Sequence, residues 1–396
     1  MSPQPVTWPK PVIENVRRLK FLSRSLQDLF TGRDPAIDLI ALSAVCHEHM
    51  LLIGPPGTAK TEIITRFADL IDARAFHYLL TRYTEPTELF GPLDLQQFQK
   101  GTYHIRTADM LPEAQIVFLD EVFQGSSPIL NSLLTILNER TFHNGSVRQP
   151  VPLICMIGAA NTVPDDPWLQ AFADRFVLRL EIGPVLDNEV EDLLDKGWHL
   201  ESERMRANRK IEQGQVPPAA KRSLKLADLL DLHARLEEVD LKAIRVDYAN
   251  VVRELRAEGV DLSDRRAVKG LKLIAGAALL REATAATIAD FWPLKHLWNR
   301  PEEAEPIREV IQSHIEAAHG ETPDAARAVA EILMHLDTIV AQRPTAPTEA
   351  ARVARLTALS ELRRELIRDY PTETEARRRV EEAIAQDLHA LETSHV

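Results

Sequence analysis

The stretch that most constrains this chain is Met50 to Thr61, MLLIGPPGTAKT. An apolar run stops at a glycine, and behind it Ile63, Ile64, Phe67, Leu70 and Ile71 recur at helical spacing. A strand, a tight loop and a helix in this order read as a cradle for phosphates. Gly54 and Gly57 let the backbone turn so that its N–H groups face the anion, and Lys60 adds a point charge. Pro55, Pro56, Thr58 and Ala59 complete the loop, and Thr61 brings a hydroxyl suited to Mg²⁺. The strict pattern has glycine where Ala59 stands; its methyl needs room but is compatible with helical backbone angles.

Strand signals recur beyond the loop. Phe76 to Leu80, Ile116 to Leu119, Leu153 to Ile157 and Phe176 to Leu180 are apolar runs too short for helices, with helical or loop stretches between them. That alternation predicts an α/β fold built on a parallel sheet with helices on both faces. Upstream, Val12 to Phe30 and Pro35 to Cys46 read as helices. Leu93 to Ile105, turning at Gly101, and Thr141 to Val151, turning at Asn144 and Gly145, read as inserted hairpins. From Gly183 the strand signals vanish, and Leu186 to Arg209, Leu224 to Val239, Ile244 to Ala257, Ser263 to Ala283 and Ile288 to Trp298 read as helices, with Pro217 and Pro218 as a linker. Phe291, Trp292, Leu294, Leu297 and Trp298 read as the core of this helical part. Beyond Pro301 the composition shifts to Ala, Glu and Arg. Apolar stripes there (Ile307, Val310, Ile311 and Ile315; Val329, Ile332, Leu333 and Leu336; Val353, Leu356, Leu359 and Leu362) predict a helical hairpin or small bundle, broken at Gly320 to Pro323 and Arg343 to Thr348. Thr372 and Glu375 form a capping-box pattern. Three domains result: 1–182, 183–300 and 301–396.

Composition narrows the function classes. The 396 residues carry a net charge of -12 with no dense basic block, so the electrostatic footprint of a nucleic-acid binder is missing. Cys46 and Cys155 stand in apolar surroundings and form no disulfide framework, as in a reducing compartment. No apolar run approaches the roughly 20 residues that span a bilayer. The first residues, MSPQPVTWPKP, lack the apolar core of a signal peptide. The chain reads as cytoplasmic, without membrane insertion.

Four further motifs carry chemistry. IVFLDE ends a strand in two carboxylates; Asp120 suits a metal ion beside the nucleotide and Glu121 suits polarising the attacking water. Asn161 closes the run CMIGAAN, where an amide at the carboxyl end of a buried strand can orient that water or touch the γ-phosphate. Arg175 in ADRF precedes the last strand. Arg265 in LSDRR falls in the first turn of a helix that Ser263 caps.

GPPGTAKT, IVFLDE, GAAN, ADRF and SDRR, in this order, resemble the AAA+ ATPases of the MoxR family, nearest the regulatory ATPase variant A (RavA) branch, over roughly residues 12 to 300. In that family Ala is common where Ala59 stands, and His49 matches a habitual histidine, which argues against a metal site in CHEH, Cys46 to His49. The resemblance implies an AAA+ nucleotide-binding core, an all-α lid and a C-terminal helical extension. It makes Gly54 to Thr61 the Walker A loop, Asp120 and Glu121 the Walker B pair, Asn161 the sensor-1 residue, Arg175 an arginine finger and Arg265 the sensor-2 arginine. ATP with Mg²⁺, held at Thr61 and Asp120, is the implied substrate and cofactor. The inserts resemble the helix-2 insert and pre-sensor-1 hairpin. Such proteins form rings, usually hexamers, and many act with a von Willebrand factor A (VWA) partner on a protein client. Related rings also move nucleic acid, which is the rival expectation.

Overall fold

In the computed structural model, residues 7–213 and 224–320 are described throughout, together with separate helical positions between 332 and 383. The Pro217–Pro218 linker, the Thr372 and Glu375 capping box, and Val329, Val353 and Leu356 lie outside the described residues. The chain divides into two compact units, Met1–His314 and Ile315–Val396.

In the first unit, α1 (Lys10–Gln27) buries Val12, Val16, Leu19, Leu22 and Leu26, spaced three and four apart, against α2 (Asp34–Cys46). Strands β1 (Met50–Ile53), β2 (Ala75–Leu79), β3 (Ile116–Asp120), β6 (Cys155–Ala160) and β7 (Leu178–Glu181) form one sheet in the order β2-β3-β6-β1-β7, every pair parallel. Central strands β1 and β6 are buried along their whole length, as a sheet covered on both faces requires. Between the strands run α3 (Lys60–Leu70), α4 (Pro86–Phe90), α5 (Leu95–Gln99), α6 (Ser127–Glu139) and α7 (Pro167–Ala173). Consequently Gly54, Glu121 and Asn161 emerge from three neighbouring strands at one edge of the sheet.

The two inserts turn out differently. Residues 141–151 form the expected hairpin, β4 (Thr141–Asn144) against β5 (Val147–Pro150). Leu93 to Ile105 is not a hairpin. The Asp94 carboxylate accepts from the Gln96 and Gln97 N–H groups at 3.0 and 3.1 Å and so starts α5, and Gly101 at φ +83° ends it. An antiparallel bridge between Leu93 and Ile105 is what remains of the pairing. Asn144 ties the inserts together: its Oδ1 accepts from the Ile105 N–H at 2.6 Å and its Nδ2 donates to the Ile105 carbonyl at 2.8 Å.

The helical part of this unit comprises α8 (Val190–Glu212), α9 (Leu226–Ala234), α10 (Arg245–Ala257), α11 (Asp264–Leu280) and the start of α12 (Pro301–Gly320). The helix expected at Ile288 to Trp298 forms over Ile288–His296 and is of the 3₁₀ type, with Pro293 inside it lacking the N–H for an α-helical bond. Phe291, Leu294, Leu297 and Trp298 are buried there, as a core cluster should be. α11 lies close against α2: a Cβ on Gly276 would come within 2.4 Å of the Cys46 sulfur. Both cysteines are buried free thiols. In the second unit, Ile332, Leu336, Leu359, Leu362, Ala376, Val380 and Ala383 share one apolar cluster, so two of the expected stripes meet in a common core.

Candidate nucleotide site

The loop after β1 is shaped by close approaches that only particular residues permit. Gly54 sits at φ +150°, and a Cβ there would lie 2.0 Å from the Ile182 carbonyl oxygen. Its N–H donates to the Ala160 carbonyl at 3.0 Å, fixing the loop to the strand that ends in Asn161. Ala59 does not take the helical angles expected of it. It holds φ +63°, ψ +15°, the left-handed region where an alanine is strained and glycine is not. The next residue, Lys60, opens α3, and its ammonium donates to the Gly54 and Pro55 carbonyls at 2.7 and 3.0 Å. Burial lowers the Lys60 pKa from its ordinary value, while the Asp120 and Glu121 carboxylates pull it back up.

Across from the lysine, Asp120 ends β3 and accepts the Glu121 N–H at 3.0 Å, which helps hold Glu121 in the left-handed conformation at φ +50°. The Asn161 amide donates to Glu121 Oε1 at 2.8 Å, so the expected water-polarising carboxylate and the expected sensor are in contact. Thr61, whose hydroxyl has no hydrogen-bond partner among the described residues, and Asp120 supply oxygen donors, the set that Mg²⁺ takes. The residues present therefore fit a magnesium nucleotide.

The two arginines stand elsewhere. Leu178, three residues after Arg175, is opposite Met50 at the start of β1, the reverse end from the phosphate loop. β1 has 4 residues, roughly 13 Å at about 3.3 Å per residue. Arg175 donates to Asp174 at 3.1 Å. Its pKa is lowered by burial and then by Arg265, so the two guanidiniums are neighbours. Exposed Arg265 donates to Asn138 Oδ1 at 3.1 Å, at the far end of α6. Its sequence neighbour Arg266 is fully buried and donates to the carbonyls of Phe176, Val177, Leu297 and Trp298 and to Asp174. Glu48, just before β1, receives Lys269 and Lys272 of α11 at 2.6 and 3.0 Å. These contacts hold α11 at the rear edge, away from the chain's own phosphate loop.

His49 is buried; its Nδ1 accepts the Met156 N–H at 3.0 Å. Among the described residues no group of three or more His, Cys, Asp or Glu side chains could hold a metal ion. Two residues escaped the sequence reading. Arg33 is 8% exposed and lies near enough to Lys60 to depress its pKa; Gly32 and Arg33 before the Asp34–Pro35 helix start were the available signal. Asn144 was read as a turn former and is instead 1% exposed, joining the inserts.

A five-stranded parallel sheet carrying a glycine-rich strand–loop–helix, a strand-end carboxylate pair and an asparagine amide on adjacent strands, followed by a helical lid, defines an AAA+ nucleotide-binding protein. The family described as "MoxR domain in the MoxR-vWA-beta-propeller ternary systems" matches residues 17–220, and the AAA lid domain matches residues 229–311. This chain belongs to the MoxR family of AAA+ ATPases. It is similar to Uncharacterized protein MJ0812 of Methanocaldococcus jannaschii, 34% identical over 72% of each chain. It is also similar to Chaperone MoxR1 of Mycobacterium tuberculosis, 23% identical over 53% of this chain and 51% of that one. A solved structure from Cytophaga hutchinsonii, described as a suspected ATPase, shares the fold with a TM-score of 0.59 at 16% identity over 78% of this chain and 96% of that one. No helix among the described residues is long and apolar enough to cross a membrane.

Proposed function

We propose that the chain hydrolyses ATP in a head-to-tail ring, a hexamer by family likeness, and uses the cycle to remodel a protein client with a VWA-domain partner. The observation that carries this reading is the separation of the site's parts. Lys60, Asp120, Glu121 and Asn161 converge at one edge of the sheet, whereas Arg175 and Arg265 stand at the other. A guanidinium that cannot reach its own phosphate loop can reach a neighbour's.

In this reading Lys60 leaves the Gly54 and Pro55 carbonyls for the β and γ oxygens, and the loop N–H groups cradle the phosphates. Mg²⁺, held at Thr61 and Asp120, supplies charge neutralisation on the phosphate oxygens. Glu121 accepts the proton of the attacking water, with Asn161 orienting both. Arg175 and Arg265 of the adjoining copy stabilise the charge that spreads over the γ-phosphate, an effect worth about 10³ to 10⁵ in rate for a finger. The VWA partner is supported by the description of the matching family, and a chaperone-like role by the name of the mycobacterial relative. The tied inserts, with Phe98 and Tyr103 more than half exposed, are the surface we assign to client or partner. On motif order we place the chain nearest RavA, in the cytoplasm, with domains at 1–182, 183–300 and 301–396. A nucleic-acid motor is disfavoured by the charge of -12 and by Arg148 of the hairpin being paired with Glu139 at 2.8 Å.

The test is complementation between dead subunits. Arg175→Ala and Glu121→Gln proteins should each bind ATP and hydrolyse almost none. Mixed, they should recover activity, because one interface joins an intact glutamate to an intact arginine. A mixture that stays inactive although mixed rings are seen by native mass spectrometry sinks the assignment of Arg175.

A further inference from the structure

α8 is 23 residues long, yet none of its described residues is buried. Leu194 and Trp198 are each 66% exposed, and Val190, Leu193 and Met205 lie on the same face with them. A helix with an apolar stripe of this length is stable only when the stripe is covered. What α8 does touch is informative. Asp192 accepts the Thr31 hydroxyl at 2.7 Å, Glu203 lies 3.8 Å from Arg66, and Arg204 donates to Glu62. Glu62 and Arg66 belong to α3, the helix that rises from the phosphate loop. The stripe therefore flanks the nucleotide edge, and α8 is hitched to the loop's own helix.

We infer that the stripe of α8 is the seat of a second copy of this chain, which docks there with its rear edge. This rests on the ring reading and names the surface that closes it. Two observations favour a second copy. The first is charge: the N-terminal half of α8 and the turn before it carry Asp187, Glu189, Glu191, Asp192 and Asp195 against Lys196, while the rear edge presents Arg175 and Arg265 as neighbouring guanidiniums. The second is apolar continuity: Val268, one turn along α11 from Arg265, is 68% exposed. A contact between two different faces of one molecule is the head-to-tail kind that propagates into rings. Because Arg204 holds Glu62, a neighbour seated on α8 also bears on α3, so assembly and the phosphate loop are mechanically joined.

The experiment places the photo-cross-linking residue p-benzoylphenylalanine at Trp198 in the full chain and irradiates it with ATP and Mg²⁺. The expected product has twice the chain mass, with the cross-link mapping to 170–180 or 260–272 of the second copy. In parallel, Leu194→Ser should raise the concentration for half-assembly at least tenfold in analytical ultracentrifugation, with ATP binding and the circular dichroism spectrum unchanged. If the parent chain stays monomeric at every concentration with nucleotide, the ring reading itself fails. If rings form but Trp198 cross-links within one chain to residues 315–396, or to nothing, or if Leu194→Ser assembles like the parent, the seat is not on α8 and this inference alone is overturned.

Discussion

The two edges of the central sheet are built on opposite terms. At the rear edge buried charges are held by segments far along the chain: Arg266 has five acceptors, Glu48 has two lysines, and Arg140 donates to the His47 and Ile154 carbonyls, although Arg266 Nε and Arg140 Nη1 have no partner among the described residues. Left-handed non-glycine residues occur at both edges, Ala59 and Glu121 at the nucleotide edge and His47 and Arg140 at the rear, but only at the nucleotide edge does a buried ammonium, that of Lys60, rest on carbonyls of its own loop. Buried charges tied to distant segments make a fixed scaffold, whereas a charge resting on its own loop's carbonyls is ready to exchange them for a ligand's oxygens. Arg175 and Arg265 lie at the rear edge but are held less firmly than Arg266, since among the described residues each keeps a single modest partner and faces the other's charge.

The largest expected effect tests the nucleotide edge. Glu121→Gln should cut the ATPase rate by about 10² to 10⁴ while leaving ATP affinity near the parent's, because an amide cannot take the water's proton. Isothermal titration together with a phosphate-release assay checks this; a loss of affinity equal to that of Lys60→Ala would move Glu121 from catalysis to binding. Next comes the rear edge, where adjacent arginines should part company. Arg266→Met removes the donor from four carbonyls and leaves Asp174 with Arg175 alone, and should cost about 3–5 kcal/mol of stability, whereas Arg265→Ala should stay within about 0.5 kcal/mol and lower the ATPase rate instead. Equal destabilisation in urea melts would erase the distinction between scaffold and finger.

A pH series sharpens the same contrast. Burial, then the stacked ring of His233 at 3.5 Å, brings the His47 pKa down to about 3, with Lys272 and Arg140 adding to the shift. The unfolded chain binds this proton at about pH 6.5 and the folded chain does not, so the contribution is intact above that pH and stability falls as pH drops from there toward 3. Melting temperatures at pH 7.5 and 5 should differ less in His47→Phe than in the parent; an unchanged difference removes His47 from the account. The smallest effect returns to the loop. Ala59→Gly relieves a left-handed alanine worth about 1–2 kcal/mol, offset in part by the greater freedom of glycine in the unfolded chain, and should raise the melting temperature by a few degrees at most. A drop would show that Ala59 is not strained in solution.

Much of this was legible in the sequence because local chemistry fixes it. The strand runs, the Gly54 and Gly57 turn, the Asp120–Glu121 strand end and the Ser263 cap follow from spacing and residue type, and each is found, although β6 and β7 begin later than the runs at Leu153 and Phe176. Leu93 to Ile105 misled because Gly101 signals a turn equally well at a hairpin and at a helix end; the Asp94 cap decided for the helix. The apolar pattern located the helix at Ile288–His296, and Pro293 was the local signal for its 3₁₀ type.

By itself, then, the sequence determined which elements form and which residue types can hold phosphate, because those depend on neighbours a few positions away. Only the tertiary structure decided that Arg266 is buried and Arg265 exposed, that Asn144 grips Ile105, and that α8 keeps an uncovered face. In each case the partner is far along the chain: Arg266 meets Asp174 and Leu297, and α11 is held at the rear of β1 by Glu48. Spacing within a helix says which side chains share a face, and packing between distant segments says which of those faces meets protein.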